Sequence, residues 1–135
     1  MILDATALLA YLFGERGGDR VSEVLKAGGS GIGIVNWSEV LSKIAERGGH
    51  PELVARALRR AAILDMDLVV LPLDERTAFE IAHLRPLTRK WGLGIGDRAC
   101  IALARGLSLP ILTADGDMFA ARGAAGVAME HFRAP

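Results

Sequence analysis

The sequence predicts an α/β protein, a five-stranded parallel sheet covered by helices on both faces. Short apolar runs alternate with amphipathic stretches along the chain, which is the pattern of strands returned to one sheet by helical crossovers. Glycine and proline fall at the junctions between these segments, where chain direction must change.

Ile2 and Leu3 open a short strand that ends at Asp4, and Ala5–Phe13 reads as a helix stopped by Gly14. Residues 20–27 form a second helix ended by Gly28 and Gly29, and residues 32–35 a buried strand. From Asn36 the period becomes helical: Trp37, Val40, Leu41, Ile44 and Ala45 fall on one face, with Glu39 off it. Gly48 and Gly49 end this helix, and Pro51 starts another that is expected to reach about Leu64. Residues 68–71 make the third strand and residues 74–84 a helix broken by Pro86. Residues 97–105 are apolar almost all round, as in a buried helix, and 110–112 and 126–129 give the fourth and fifth strands with a helical turn or two between them.

At 135 residues and 14.4 kDa the chain is expected to form one domain over 1–135, large enough to bury roughly 68% of its unfolded surface. A 51% hydrophobic share against 24% charged residues excludes a disordered chain. The longest stretch without a charge, residues 27–38, is twelve residues with four glycines, too short and too glycine-rich to span a bilayer. The apolar N-terminus has no basic leader, and Cys100 has no partner for a disulfide, so a reducing, cytoplasmic setting is expected. Sixteen basic residues balance sixteen acidic ones, so any charge argument is local.

The local argument concerns acids. Asp4 directly follows the first strand, Glu39 stands four residues after the second, and Asp115 three residues after Leu112. In an open parallel sheet these positions share the carboxyl edge, where ligands bind. Asp97 joins them if its helix packs with its N-terminus at that edge. Adjacent carboxylates raise each other's pKa, a cost that a hard divalent cation such as Mg²⁺ or Mn²⁺ offsets. Each acid also has a structural reading as a helix cap. Asn36 and Glu39 are spaced as a capping box, and Asp97 and Asp115 sit at helix starts. Asp4 fits that reading least well, because aspartate is disfavoured beside a buried strand.

Asp4 in M-I-L-D-A-T-A-L-L-A, Glu39 in I-V-N-W-S-E-V-L, Asp97 in G-L-G-I-G-D-R-A-C-I-A-L-A and Asp115 in P-I-L-T-A-D together resemble a PIN domain. End to end the chain is similar to the VapC type of toxin ribonuclease. The resemblance implies a three-layer fold, an acidic pocket for Mg²⁺ or Mn²⁺, and endonucleolytic hydrolysis of RNA. It implies Asp4, Glu39, Asp97 and Asp115 as metal and catalytic acids, Asp117 as a fifth metal residue, and Thr6 as the small polar residue usual two positions after the first acid. It also implies a homodimer and a cognate antitoxin protein as partners. Gly33 departs from the serine or threonine of many relatives, which removes a peripheral hydrogen bond.

Divalent ions can offset charge on an attacked phosphodiester and lower the pKa of a bound water, and no other nucleophile is evident. Cys100 lies in a buried helix, and His50, His83 and His131 are scattered. Arg98 is either a contact for substrate phosphate or a salt-bridge partner beside the acids. Arg85, Arg89, Lys90 and Trp91 form a basic, aromatic segment that either holds RNA or is a solvated loop. Leu8, Leu9, Leu12 and Phe13 supply apolar helix surface for a dimer, unless they are core. Three rival functions are weighed. Gly94, Gly96 and Ala99 spell a dinucleotide-binding pattern, but no strand precedes it. A phospho-aspartyl receiver or phosphatase lacks its second aspartate, where Thr6 stands, and its late lysine. An interaction module with the acids as caps predicts no metal binding.

Overall fold

The computed structural model describes residues 1–134. Its elements in chain order are β1 (Ile2–Leu3), α1 (Ala5–Phe13), α2 (Gly18–Ala27), β2 (Ser30–Gly33), α3 (Ile34–Glu46), α4 (Pro51–Arg60) and β3 (Leu68–Leu71). They continue with α5 (Glu75–Thr88), a 3₁₀ turn at Arg89–Trp91, α6 (Ile95–Leu107), β4 (Ile111–Thr113), α7 (Gly116–Ala120), α8 (Arg122–Ala125) and β5 (Met129–His131). The sheet has five strands, all parallel, in the order β3-β2-β1-β4-β5. The two-residue β1 holds the centre because it is paired on both sides, Ile2 with Gly31 and Ile111, Leu3 with Ile32 and Leu112.

Alternation along these strands divides the core in two. Leu3, Ile32 and Leu112 face one way and pack with Leu8, Val21, Val40 and Leu58 from α1 to α4. Ile2 and Ile111 face the other way, onto Leu84, Ile101 and Met118 from α5 to α7. Both faces are thus covered, as predicted. Among the described residues no helix is long and apolar enough to cross a membrane.

Several boundaries differ from the expectation. The second strand is Ser30–Gly33, two residues earlier than the apolar run at 32–35, and α3 starts at Ile34. Gly31 is a strand residue because its neighbours leave no room: a Cβ there would lie 2.7 Å from Leu71 Cδ1 and 3.3 Å from Ile2 Cδ1. α4 stops at Arg60, short of Leu64, because the chain turns through Ala62 at a φ of 58° and sends Leu64 into the core. α5 runs through Pro86 to Thr88. Leu84 and Thr88 are fully buried, and the Thr88 hydroxyl donates to the Leu84 carbonyl at 2.7 Å, so packing outweighs the donor that proline lacks. β5 is Met129–His131, three residues later than expected, and is made a strand by pairing with β4.

Candidate metal centre

The strand order reverses between β1 and β4: the chain winds outward from β1 to β3, then crosses to the other side for β4 and β5. The crevice outside the carboxyl ends of those two strands is where such a sheet binds ligands. Asp4 and Asp115 stand at its two sides.

Asp4 is 3% exposed and caps α1, its Oδ1 accepting from Ala7 N at 3.0 Å. The Thr6 hydroxyl donates to the same oxygen at 2.6 Å, and the Thr113 hydroxyl, at the end of β4, donates to Oδ2 at 2.5 Å. Thr6 accepts from Ala114 N at 2.9 Å and Thr113 from Asp115 N at 2.9 Å, so the two threonines lace the ends of β1 and β4 together. Thr6, the small polar residue two positions after the first acid, thus braces Asp4. Burial pushes the Asp4 carboxyl up to about 6, against the three hydrogen bonds that favour its charged form, and the charge of Asp115 adds to the rise. Asp115 caps α7, accepting through Oδ1 from Asp117 N at 2.9 Å and Met118 N at 3.1 Å. Asp117 lies exposed on the first turn of α7.

Neither Glu39 nor Asp97 is the N-cap residue of its helix, although the Asp97 carboxyl accepts from the backbone N–H of Gly94, the N-cap of α6. α3 begins at Gly33 and α6 at Gly94, which puts Glu39 in the second turn of α3 and Asp97 in the first turn of α6. The capping box expected of Asn36 and Glu39 is absent, because Asn36 is itself helical, 3% exposed, and turned toward α6. Its Nδ2 donates to Glu39 Oε1 at 2.8 Å and to the Gly96 carbonyl at 3.0 Å. The Glu39 carboxyl rests on Gly96, where a Cβ would come within 2.6 Å of Oε1. Asp97 is half-buried and is pushed up to about 6, first by burial and then by the charges of Asp115, Asp4 and Glu39. The four acids thus share one field. Cys100, fully buried in α6, has its thiol pushed well above the ordinary range by burial and by Asp4, Asp97 and Glu39, which leaves it inert as a nucleophile.

No basic side chain answers these charges. Among the described residues none of the ion pairs involves Asp4, Glu39, Asp97, Asp115 or Asp117. Arg98, expected at a phosphate or in a salt bridge at the acids, instead donates through Nη1 to the Ile81 carbonyl of α5 at 3.0 Å. Trp91 packs against the second core cluster, so the basic segment before α6 is a turn anchored by its aromatic residue. His50 and His83 are exposed away from the acids. His131 is the register partner of Thr113, with its ring edge-on to Phe119 at 5.6 Å.

The donor set fits a divalent cation: carboxylate oxygen only, partly desolvated and uncompensated. Among the described residues no group of three or more His, Cys, Asp or Glu side chains stands ready to hold a metal ion. Mg²⁺ does not require one, since it takes one or two protein carboxylates and keeps several waters. Sequence reading missed Thr113, Asn36 and Gly96. Thr113 was legible as a polar residue in the buried run I-L-T-A-D, whereas nothing local marks Gly96 as lying beneath a carboxyl of another helix.

The PIN domain family model matches residues 1–124. No curated protein matches the sequence. Among solved structures, VapC20 of Mycobacterium tuberculosis, described as a sarcin-ricin loop cleaving toxin, is 15% identical with a TM-score of 0.70, covering 89% of this chain and 93% of that one. VapBC-1 from nontypeable Haemophilus influenzae is 19% identical with a TM-score of 0.68, covering 98% of both chains. FitAcB from Neisseria gonorrhoeae is 21% identical with a TM-score of 0.66, covering 95% and 94%. At these identities the likeness is one of fold.

Proposed function

The chain belongs to the PIN domain family, and on that premise we propose that it is a divalent-metal-dependent endoribonuclease, the toxin of a toxin–antitoxin pair acting in the cytoplasm. The observation that carries the proposal is the convergence of Asp4, Glu39, Asp97 and Asp115 at the sheet's switch point without a basic partner, where burial first and then the charges of the other three hold Asp97 near 6. Glu39 has no capping role, and a helix-cap reading leaves it unexplained.

Asp4, Glu39, Asp97 and Asp115 would hold Mg²⁺ or Mn²⁺, with Asp117, exposed on the first turn of α7, as the fifth metal residue. When bound, the ion would offset negative charge on the phosphodiester oxygens and lower the pKa of a bound water. The protein's part is to hold the carboxylates and orient the attacking water. Asp4 is braced by two hydroxyls and a backbone N–H, and Glu39 by the Asn36 amide, so neither has to be ordered when substrate arrives. Without a cation the same acids repel a phosphodiester, so activity must follow added ion. The test is incubation of labelled single-stranded RNA with purified protein and Mn²⁺, then with EDTA. Cleavage in Mn²⁺ that stops in EDTA is expected, and cleavage that survives EDTA overturns the mechanism.

The reading extends to partners. One structural neighbour, from Klebsiella pneumoniae, is described as a toxin–antitoxin complex. Here Leu12, Phe13, Ile44 and Val54 line an open apolar groove of about 240 Å³, beside an exposed Leu53. Leu8, expected as part of this surface, is instead fully buried core, and Leu9 packs against that core. A homodimer and a cognate antitoxin are the partners proposed. Light scattering at micromolar concentration is expected to show twice the 14.4 kDa mass.

A further inference from the structure

Asn36 is an expensive residue to keep in its position. It is 3% exposed, its Oδ1 is buried without a hydrogen-bond partner, and a leucine of similar volume would avoid that cost. Its amide orientation is dictated by surroundings that offer Nδ2 two acceptors, Glu39 Oε1 and the Gly96 carbonyl. Gly96 meets the same carboxyl from the other side: a Cβ there would lie 2.6 to 2.8 Å from all three carboxyl atoms of Glu39. The first turn of α6 and the second turn of α3 thus close on one functional group. Glu39 is exposed, and among the described residues the bond from Asn36 is the one hydrogen bond its carboxyl receives.

We propose that Asn36 and Gly96 form the seat of the Glu39 carboxylate and through it set the affinity of the site for its divalent cation. Both are positioning residues, neither touching ion nor substrate. The affinity claim rests on the metal-site reading above, whereas the seat itself does not. A Cβ at position 96 would displace the flexible end of Glu39 rather than backbone, so Gly96→Ala should leave the fold intact while moving the carboxylate. Orienting partners of metal ligands typically change affinity by about 10- to 100-fold.

The experiment is calorimetric titration of Mn²⁺ into wild type, Asn36→Leu, Gly96→Ala, Glu39→Ala and the two doubles with Glu39→Ala, with thermal melts of each in EDTA. Asn36→Leu and Gly96→Ala are expected each to weaken Mn²⁺ binding by about 10- to 100-fold while melting no lower than wild type. Neither should weaken binding further once Glu39 is alanine. Independently of metal, Gly96→Ala should raise the melting temperature more in the Glu39→Ala background than in wild type, because the helix gains a better former without a carboxyl to displace. Equal losses of affinity in both backgrounds, or none in either, overturn the affinity claim. A melting-temperature change that ignores the Glu39 background overturns the seat. A wild type that binds no Mn²⁺ overturns the metal-site reading and the affinity claim with it, and leaves the melts to decide the seat.

Discussion

Asp4 and Asp115 stand at strand ends and begin helices, whereas Glu39 and Asp97 stand inside helices that glycines begin. The strand-end pair is held by backbone: Asp4 accepts from Ala7 N, Asp115 from Asp117 N and Met118 N, and Thr113 links the two. Of the helix-borne pair, Asp97 takes a backbone hydrogen bond from the N-cap residue Gly94, and Glu39 has no part in starting its helix. Glu39 is held by one side-chain amide and by the absence of a Cβ on Gly96. The first pair therefore serves the fold and the site together, and the second serves the site at the expense of the fold, since Asp97 is a half-buried charge in a field of like sign. Equal importance for catalysis should coexist with opposite effects on stability.

The largest expected effect ignores the distinction. Asp4→Asn and Asp97→Asn should each lower RNA cleavage in Mn²⁺ by several orders of magnitude, measured by initial rates on labelled RNA, because each removes a charge the ion needs. An intact rate in either variant removes that residue from the site.

Stability should then separate the pairs. At the strand end, Asp4→Ala should be less stable than Asp4→Asn by about 2 kcal/mol, since asparagine keeps the cap and an acceptor for the threonine hydroxyls while alanine keeps neither. In the helix, Asp97→Asn should be more stable than wild type in EDTA by about 1 kcal/mol, a figure reduced for the residue's partial exposure. Thermal or urea melts of the three variants compare the pairs directly. Millimolar Mn²⁺, binding only the folded state, should raise the melting temperature of wild type more than that of Asp97→Asn.

The pH dependence sharpens the same contrast. Asp97 rises from 3.8 in the unfolded chain to about 6 in the folded one, so between these values the folded state binds more protons. Stability from this group is therefore lost as pH rises from about 4 to 6 and is level above. The melting temperature of Asp97→Asn minus that of wild type, in EDTA, should be near zero or negative at pH 3.8 and positive by pH 7. Asp4 rises by a similar amount, corresponding to about 3 kcal/mol over the same window, so wild type itself should lose part of its stability there. A difference independent of pH would mean that Asp97 is not held in the field of the other acids.

The smallest effect lies where α3 starts. Gly33 is the N-cap of α3 and offers no side-chain bond, and its Cα lies toward the unpartnered Oδ1 of Asn36, where a Cβ would stand 3.5 Å away. Gly33→Ser should raise stability by a few tenths of a kcal/mol through the cap, against a tight 3.1 Å approach to Leu103. Denaturant melts with replicate precision would detect it.

The alternation of apolar runs with helical periods was enough to assign the parallel sheet and its two covered faces, because each strand's neighbours in sequence are the helices that bury it. Asp4 and Asp115 were legible for the same local reason: each directly follows the strand that places it. The boundaries of β2 and β5 were not, because Ser30–Gly33 and Met129–His131 are poor strand formers that extend only when neighbouring strands pair with them. Glu39 and Asp97 were legible as acids but not in their placement, and Asn36 was misread as a cap, since Asn-x-x-Glu looks alike at a helix start and three residues further in. Gly96 carried no local signal, for its reason lies 57 positions away in the carboxyl of Glu39. Sequence by itself determined which residues alternate and therefore which elements form. Only tertiary structure decided which side chains share a field and which Cα must stay bare, because those are facts about distance between elements.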